Sequence, residues 1–377
     1  MNNISNPFVV AKRIPDGLFC DREEETTFLI KQMENGRNVV IMSPRRLGKT
    51  QLIYHLFDRS EIKEHYRTFY VDIYSATSLQ EMCYLFGKSV FDQLKPKLKQ
   101  YWESLFQVLK SLRPAFKIDQ FTGEPSFELG LGAITNPETT LDEIFAYLES
   151  SPEPCIVAFD EFQQIAEFGD TRVEALLRGK IQKCTNVSFI FSGSKRHTIG
   201  LMFNSKSRPF YQSAQMMDLN PLKLDVYSYF TKRLFANYGK ELQPDVVKAI
   251  YEKYEGTTWY MQMMMNELFA ITENGGFCRI ETISQALHNI IDVQEGTYKT
   301  QLSLLSARQK GVLQAIAMEG LVISPTSSSF VKSHSLDSAS SVQSALRALL
   351  ANDVVSYDEK GYRVSDYFFA EWLRVAY

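Results

Sequence analysis

The chain has 377 residues, of which 45% are apolar and 23% are charged, and its formal net charge is −3. This length predicts two or three domains, and the mixture of side chains is typical of an ordinary globular protein. The near-balance of charge excludes a general attraction to nucleic acid or anionic lipid. No apolar run approaches the ~18 residues that a membrane-spanning helix needs, and the first residues lack the pattern of a signal peptide.

The five cysteines are scattered and contain no C-x-x-C pair. This spacing favours reduced thiols in a cytoplasmic protein, without a zinc site or a disulfide framework. We expect the cysteines to be buried as small apolar side chains. They are Cys20, Cys83, Cys155, Cys184 and Cys278.

Before Pro221, apolar strand patterns alternate with helical patterns. This alternation predicts a parallel α/β sheet that is covered on both faces. The segment 113–137 is rich in glycine and proline and predicts a small hairpin. The predicted strands are residues 38–42, 67–75, 153–162 and 186–194, and the predicted helices are 51–57, 79–112, 140–150 and 171–185.

After Pro221 the strand patterns stop and helical spacing covers residues 225–292, with a break at 254–260. This region is predicted to form a helical lid or second subdomain. From about residue 302, helices followed by two short strands around 358–361 indicate a winged helix. The predicted domains are residues 1–222, 223–297 and 298–377.

Residues 43–50 read S-P-R-R-L-G-K-T between a predicted strand and a predicted helix. They match the second half of the Walker A pattern G-x-x-x-x-G-K-[ST], with Ser43 in place of the first glycine. In such loops, backbone N–H groups and the helix N-terminus form an anion site. We expect Gly48 to let the backbone approach phosphate, Lys49 to reach the β- and γ-phosphates, and Thr50 to bind Mg²⁺.

Serine at the first position accepts many backbone torsions, although a positive φ would strain it. The alternative is a chance G-K-T at the start of a helix. The predicted nucleotide-binding residues of this segment are Ser43, Pro44, Arg45, Arg46, Leu47, Gly48, Lys49, Thr50 and Gln51.

The apolar run C-I-V-A-F ends in Asp160 and Glu161, which matches the Walker B form. Asp160 is predicted to hold Mg²⁺, directly or through water, and Glu161 to polarise the attacking water. The alternative is an acidic pair that caps the next helix. The two motifs support each other, because a magnesium nucleotide needs both a phosphate cradle and a metal anchor.

Polar residues lie at the end of the strand predicted over residues 186–194 and directly after it. A side chain at its end is expected beside the γ-phosphate, where it could orient the water, and we favour Ser192 or Ser194 over Lys195 and Arg196. The alternative is a turn that uses glycine and serine for its geometry. The predicted catalytic residues are Glu161, Lys49, Ser192 and Ser194.

Together these segments resemble the P-loop ATPases first grouped as archaeal-type ATPases, on the AAA/STAND side of the superfamily. The resemblance depends on the order and spacing of segments that span nearly the whole chain. These are residues 19–25, 40–50, 70–75, 156–165, 190–197, 217–222, 254–262 and 362–374.

The family implies a P-loop NTPase core, a helical lid and a C-terminal winged helix, with ATP or ADP and Mg²⁺ as ligands. It places Phe19–Glu25 near the adenine, so Phe19 and Arg22 are expected to contact the nucleotide. A helix start with an acidic first turn is the alternative for that segment. The family also places Gly256–Tyr260 on the lid near the nucleotide, where a helix break with packed aromatic rings is the alternative. A guanine-reading N-K-x-D motif is missing from its expected place, which favours ATP over GTP.

The chain departs from the family at one place. Relatives often carry an arginine in a Tyr-Gly-Arg-Ala-like stretch, where this chain has Gln212 and Ser213. Such an arginine stabilises charge on the transferring phosphoryl group, so its absence predicts slow hydrolysis. Arg208 lies nearby and is either a substitute or a solvated surface residue.

The predicted winged helix, residues 298–377, carries eight Lys/Arg and seven Asp/Glu, and its predicted recognition helix offers only Arg347. DNA binding depends on several basic side chains that neutralise phosphates. The sequence therefore predicts a slow Mg-ATPase that acts as a conformational switch for a protein partner or for self-association. The alternatives are a nucleotide-regulated DNA-binding protein and a non-hydrolysing ATP/ADP-binding module.

Overall fold

The computed structural model describes residues 5–94, 108–118, 125–127 and 134–376. They form two compact units. One unit runs from Ala11 to Leu222, and the other combines the chain from Lys223 onward with the N-terminal residues up to Val10. Within the described ranges, no helix has the length and apolar character needed to cross a membrane.

The first unit is built on a five-stranded parallel sheet with the order β2-β5-β6-β1-β7. This confirms the predicted α/β fold. A separate antiparallel pair, β3 with β4, matches the predicted hairpin. The strands are β1 Val39–Met42, β2 Arg67–Asp72, β3 Phe116–Ile118, β4 Pro125–Phe127, β5 Cys155–Asp160, β6 Val187–Gly193 and β7 Gln215–Asp218.

The seven α-helices described in this unit are α1 Glu23–Glu34, α2 Lys49–Asp58, α3 Ser60–Lys63, α4 Leu79–Leu94, α5 Pro137–Glu149, α6 Arg172–Ile181 and α7 Arg196–Asn204. Short 3₁₀ turns cover Asp16–Leu18, Lys110–Ala115 and Phe162–Glu167. The helix predicted over 79–112 is thus observed over Leu79–Leu94, and the part over 95–107 lies outside the described residues. At its predicted end, residues 110–112 belong to a 3₁₀ turn and not to an α-helix.

The sheet is buried on both faces, which explains why its central strands read as continuous apolar runs. Every residue of β5 and β6 is buried. On one face, Phe159 stacks parallel to Phe189 and Phe191, with ring centroids 6.4 Å apart in both pairs. On the other face, Ile156 and Ala158 pack in a cluster with apolar residues of α1 and α2. This packing fixes α2, and therefore the loop that precedes it, against the sheet.

The first four helices of the second unit are α8 Leu224–Asn237, α9 Pro244–Lys253, α10 Thr258–Ile271 and α11 Thr282–Ser303. Two short strands, β8 Glu241–Leu242 and β9 Phe277–Cys278, pair in parallel, so the expectation that strands stop at Pro221 was wrong. Two residues per strand are too few to give a period-2 pattern. Phe8 packs in this unit against aromatic rings of α8 and α10.

The C-terminal part of this unit has the predicted winged-helix order of helices followed by an antiparallel pair. Val322 adds a bridge to Tyr362 of that pair. The boundary predicted between residues 297 and 298 falls inside the continuous helix α11. The elements are α12 Ala307–Glu319, α13 Ser328–Ser333, α14 Ala339–Ala351, β10 Val355–Asp358, β11 Gly361–Val364 and α15 Tyr367–Ala376.

Candidate active site

The loop between β1 and α2 leaves the sheet at Ser43 and enters the helix at Lys49. Ser43 is completely buried, and it is not among the residues with positive φ. The left-handed positions are Arg46, with φ 69°, and Gly48, with φ 92°. Ser43 is therefore not strained, because the loop does not need a positive φ at its first position. The positive φ of Gly48 is a conformation that favours glycine.

Lys49 lies inside this loop. Its side chain is buried, and Nζ donates to Ser43 O, Ser43 Oγ and Pro44 O, each at 3.2 Å. Burial lowers the pKa of Lys49, while the carboxylates of Glu161 and Asp160 act in the opposite direction. The ammonium group is thus held among loop oxygens and within the electrostatic field of two acids.

Asp160, the last residue of β5, is the centre of a hydrogen-bond network. Its Oδ2 accepts from Thr50 Oγ1 at 2.7 Å and from Tyr70 OH at 2.6 Å. Its Oδ1 accepts from the Glu161 N–H at 3.0 Å and from Ser192 Oγ. The start of α2 and the ends of β2, β5 and β6 therefore meet at one carboxylate.

Glu161 leaves the strand in a left-handed conformation, with φ 55°. Its Oε2 accepts from Gln163 Nε2 at 2.5 Å, from Ser194 Oγ at 2.7 Å and from the Ser194 N–H at 3.3 Å. It begins the turn Phe162–Glu167 without a side-chain cap, so the alternative of a capping acid does not describe it. Non-glycine residues in this conformation cluster at functional sites.

The parallel topology explains why these residues converge. β6 lies between β1 and β5, and all three strands present their carboxyl ends at the same edge of the sheet. Ser192 is opposite Ile41 in the register of β6 and β1. Ser192 and Ser194, which the sequence favoured over the basic pair, reach Asp160 and Glu161 respectively.

The basic residues after β6 have other partners. Lys195 donates to Glu167 at 2.7 Å and Arg196 to Asp218 at 2.9 Å. Arg208 is paired with the buried carboxylate of Glu174, and 37% of its side chain is exposed, so it is a surface arginine that also has an acidic partner. The pairing depends on a contact between distant segments, which the sequence pattern does not reveal.

The remaining nucleotide-binding candidates of the loop differ in how far their side chains are exposed. Leu47 is buried in the apolar cluster with residues of α1 and α2, so its side chain is a packing group. Pro44, Arg45 and Arg46 are exposed, and Arg45 Nε donates to Ser194 Oγ at 3.3 Å. Gln51 Oε1 accepts from the Ile14 N–H at 3.0 Å.

The predicted adenine-side residues lie on the segment before α1 and beside α2. The ring of Phe19 stacks on His55 of α2, with centroids 4.1 Å apart and an interplanar angle of 11°. Arg22 is buried, has φ 74° and pairs with Glu25 at 2.6 Å. α1 also carries three glutamates in its first turn, so the acidic helix start that was the alternative is present as well.

Two residues of the network were not identified as candidates from the sequence. Tyr70 lies in the segment 70–75 that carries the family resemblance, and its ring packs against Tyr54 of α2 at 4.8 Å. Burial, with a further contribution from Asp160, raises the pKa of Tyr70, so the phenol remains a donor. Gln163 follows Glu161 by two residues, and only this proximity could have indicated it.

Two family models match the chain. Residues 19–264 match an ATPase domain that is predominantly from Archaea, and residues 296–375 match a probable winged helix domain. No curated protein matches.

The solved structures that resemble nearly the whole chain include the following three. The Walker-type ATPase PABY2304 of Pyrococcus abyssi is 17% identical, with a TM-score of 0.62 over 98% of this chain and 99% of that one. The ORC1 protein of Aeropyrum pernix in complex with DNA is 14% identical, with a TM-score of 0.53 over 98% and 97%. The ADP form of the ORC2 protein of Aeropyrum pernix is 13% identical, with a TM-score of 0.53 over 98% and 95%.

At these identities the similarity to solved structures establishes the fold alone. The first family model, however, covers more than half of the chain. The chain therefore belongs to the family of ATPase domains that are found predominantly in Archaea.

Proposed function

We propose that this protein binds Mg-ATP at the loop of residues 43–50 and hydrolyses it slowly, as a conformational switch for a protein partner. The observation that carries the proposal is the hydrogen bond of 2.7 Å between Thr50 Oγ1 and Asp160 Oδ2. It brings a hydroxyl and a carboxylate, both suitable for Mg²⁺, to the mouth of a phosphate-binding loop.

The side chains around this pair fit a magnesium nucleotide. Thr50 and Asp160 would hold the metal, and Lys49 with the backbone N–H groups at the start of α2 would hold the phosphates. Bound magnesium would neutralise charge on the phosphates. Phe19 and Arg22 are proposed to lie on the adenine side. The ADP form of the Aeropyrum pernix ORC2 protein, which has a similar fold, supports an adenine nucleotide.

Glu161 is the proposed group that prepares water. Its carboxylate is fixed by Ser194 and Gln163, and Ser192 fixes the adjacent Asp160. A general base must be held within hydrogen-bond reach of the proton that it accepts. Arg208 is engaged by Glu174, and Gln212 and Ser213 take the place of the family's arginine, which supports slow turnover.

We favour a protein partner or self-association over DNA because the cations of the wing are already paired. Glu255 accepts from Lys360 Nζ at 2.8 Å and from Arg363 Nη1 at 2.6 Å. Asp358 accepts from Arg363 Nη2 at 3.1 Å. The ORC1 structure contains DNA, which keeps DNA as the second candidate. Binding of duplex DNA that falls steeply with added salt would support that candidate, whereas no binding at ~50 mM salt would end it.

The five cysteines all lie within the described residues and none of them forms a disulfide, which supports the proposal of a reducing, cytoplasmic setting. As a switch, the bound nucleotide would change the conformation of the unit that contains the helical lid and the winged helix. We expect its amide-exchange pattern to differ between the ATP-bound and ADP-bound protein.

The variant Glu161→Gln tests the enzymatic part of the proposal. It keeps the shape of the side chain and removes the carboxylate, so Mg-ATP should still bind while turnover falls about 100-fold or more. Glu167→Gln, at an exposed glutamate on the same turn, is the matched control and should retain turnover. Wild-type turnover in Glu161→Gln would contradict the assigned role of this carboxylate, whereas nucleotide binding without turnover in the wild-type protein would favour a static nucleotide-binding module.

A further inference from the structure

Gln163 is almost completely buried beside Glu161, and its amide is oriented by that glutamate. Nε2 donates to Glu161 Oε2 at 2.5 Å, whereas Oε1 has no hydrogen-bond partner among the described residues. The reversed amide would place its oxygen against the carboxylate, so the bond to Glu161 dictates the orientation. A buried acceptor without a partner is unfavourable, and such a group in a native protein calls for an explanation.

The space for this amide is created by Gly193. A Cβ at position 193 would overlap Gln163 Oε1 and would lie 3.0 Å from Ile199 Cδ1. Gly193 is not among the glycines with positive φ, so its backbone conformation does not require glycine. What requires glycine is the close approach of the Gln163 side chain to the end of β6.

Glu161 is therefore held from two directions. Ser194, which follows Gly193, supplies a hydroxyl and an N–H to Oε2, and Gln163 supplies an amide donor to the same oxygen. With Oε2 engaged by three donors, Oε1 is the oxygen left to contact a water molecule. Because the backbone of Glu161 is in a left-handed conformation, these hydrogen bonds are important for the orientation of its carboxylate.

We propose that Gln163 is a positioning residue for Glu161, and that Gly193 provides the space that admits its amide. This inference depends on the proposed function, because the direction of Glu161 matters only if this carboxylate prepares water. Gln163 acts through Glu161 and does not itself contact the nucleotide.

Two variants test this positioning by different routes. Gln163→Met keeps the length of the side chain and removes the donor, whereas Gly193→Ala keeps Gln163 and displaces its amide. In both, kcat for Mg-ATP should fall about 10-fold, while KM and the nucleotide Kd stay within about twofold of wild type. Gln164→Met, at the half-buried neighbour, is the control and should keep the wild-type kcat. If Gln163→Met does not fold, Gly193→Ala decides.

A further comparison separates positioning from a merely structural role. Combined with Glu161→Gln, the change Gln163→Met should lower kcat no further, because the group that it positions is already gone. A kcat within twofold of wild type in Gln163→Met or Gly193→Ala overturns the inference, as does a full additional loss in the double variant. Absence of turnover by the wild-type protein would instead overturn the proposed function, and this inference with it.

Discussion

Thr50 Oγ1 and Asp160 Oδ2 are 2.7 Å apart, although 110 positions separate the two residues in the chain. One is in the first turn of α2 and the other ends β5, which is separated from β1 by β6. The contact therefore depends on the order of the whole sheet. It joins the two motifs that the sequence suggested would share a metal ion.

Replacing Thr50 by valine should weaken the response to magnesium. The change removes the hydroxyl and keeps a similar shape, so the Mg²⁺ concentration for half-maximal binding of ATP should rise roughly 10- to 100-fold. Titration of Mg²⁺ against a fluorescent ATP analogue measures this shift. Thr50→Ser, which keeps the hydroxyl, should stay near wild type. The same magnesium dependence in Thr50→Val and wild type would exclude a metal role for this side chain.

Tyr70→Phe should affect the same site more weakly. The phenol donates to Asp160 Oδ2 at 2.6 Å, and its loss removes one of the donors that orient the carboxylate. We expect magnesium affinity to fall about 10-fold, in the range found for groups that support metal ligands. Tyr66→Phe, at a half-buried tyrosine just before β2, is the control. An unchanged affinity in Tyr70→Phe would show that the other donors suffice to orient Asp160.

Arg208→Ala should reduce stability, with little effect on the turnover of folded protein. The change leaves Glu174 buried without its cation, and Glu174 Oε2 already has no hydrogen-bond partner among the described residues. The free energy of unfolding should fall by about 2 kcal/mol. Adding Glu174→Gln should recover part of this loss in denaturant unfolding. A kcat that falls 100-fold while stability is unchanged would instead identify Arg208 as a catalytic cation.

The sequence predicted four of the five strands of the parallel sheet, the loop and the acidic strand end because each has a strong local pattern. β7 was missed because only Met217 of its four residues is buried, as is common for an edge strand. Tyr70 and Gln163 were missed because their roles depend on contacts with Asp160 and Glu161. The sequence also did not show how the loop accommodates Ser43 at its first position. The left-handed residues are Arg46 and Gly48, and backbone torsions of this kind are set by the folded loop.

The central claim is that the loop of residues 43–50 binds the triphosphate through Lys49. The most direct test compares Mg-ATP affinity and turnover of the wild-type protein with those of Lys49→Ala, using exposed Lys63→Ala as the control. We predict measurable binding and slow turnover in wild type and control, and losses of about 100-fold in both quantities in Lys49→Ala. Equal turnover in Lys49→Ala and wild type would contradict the enzymatic account, and equal affinity would contradict the site itself.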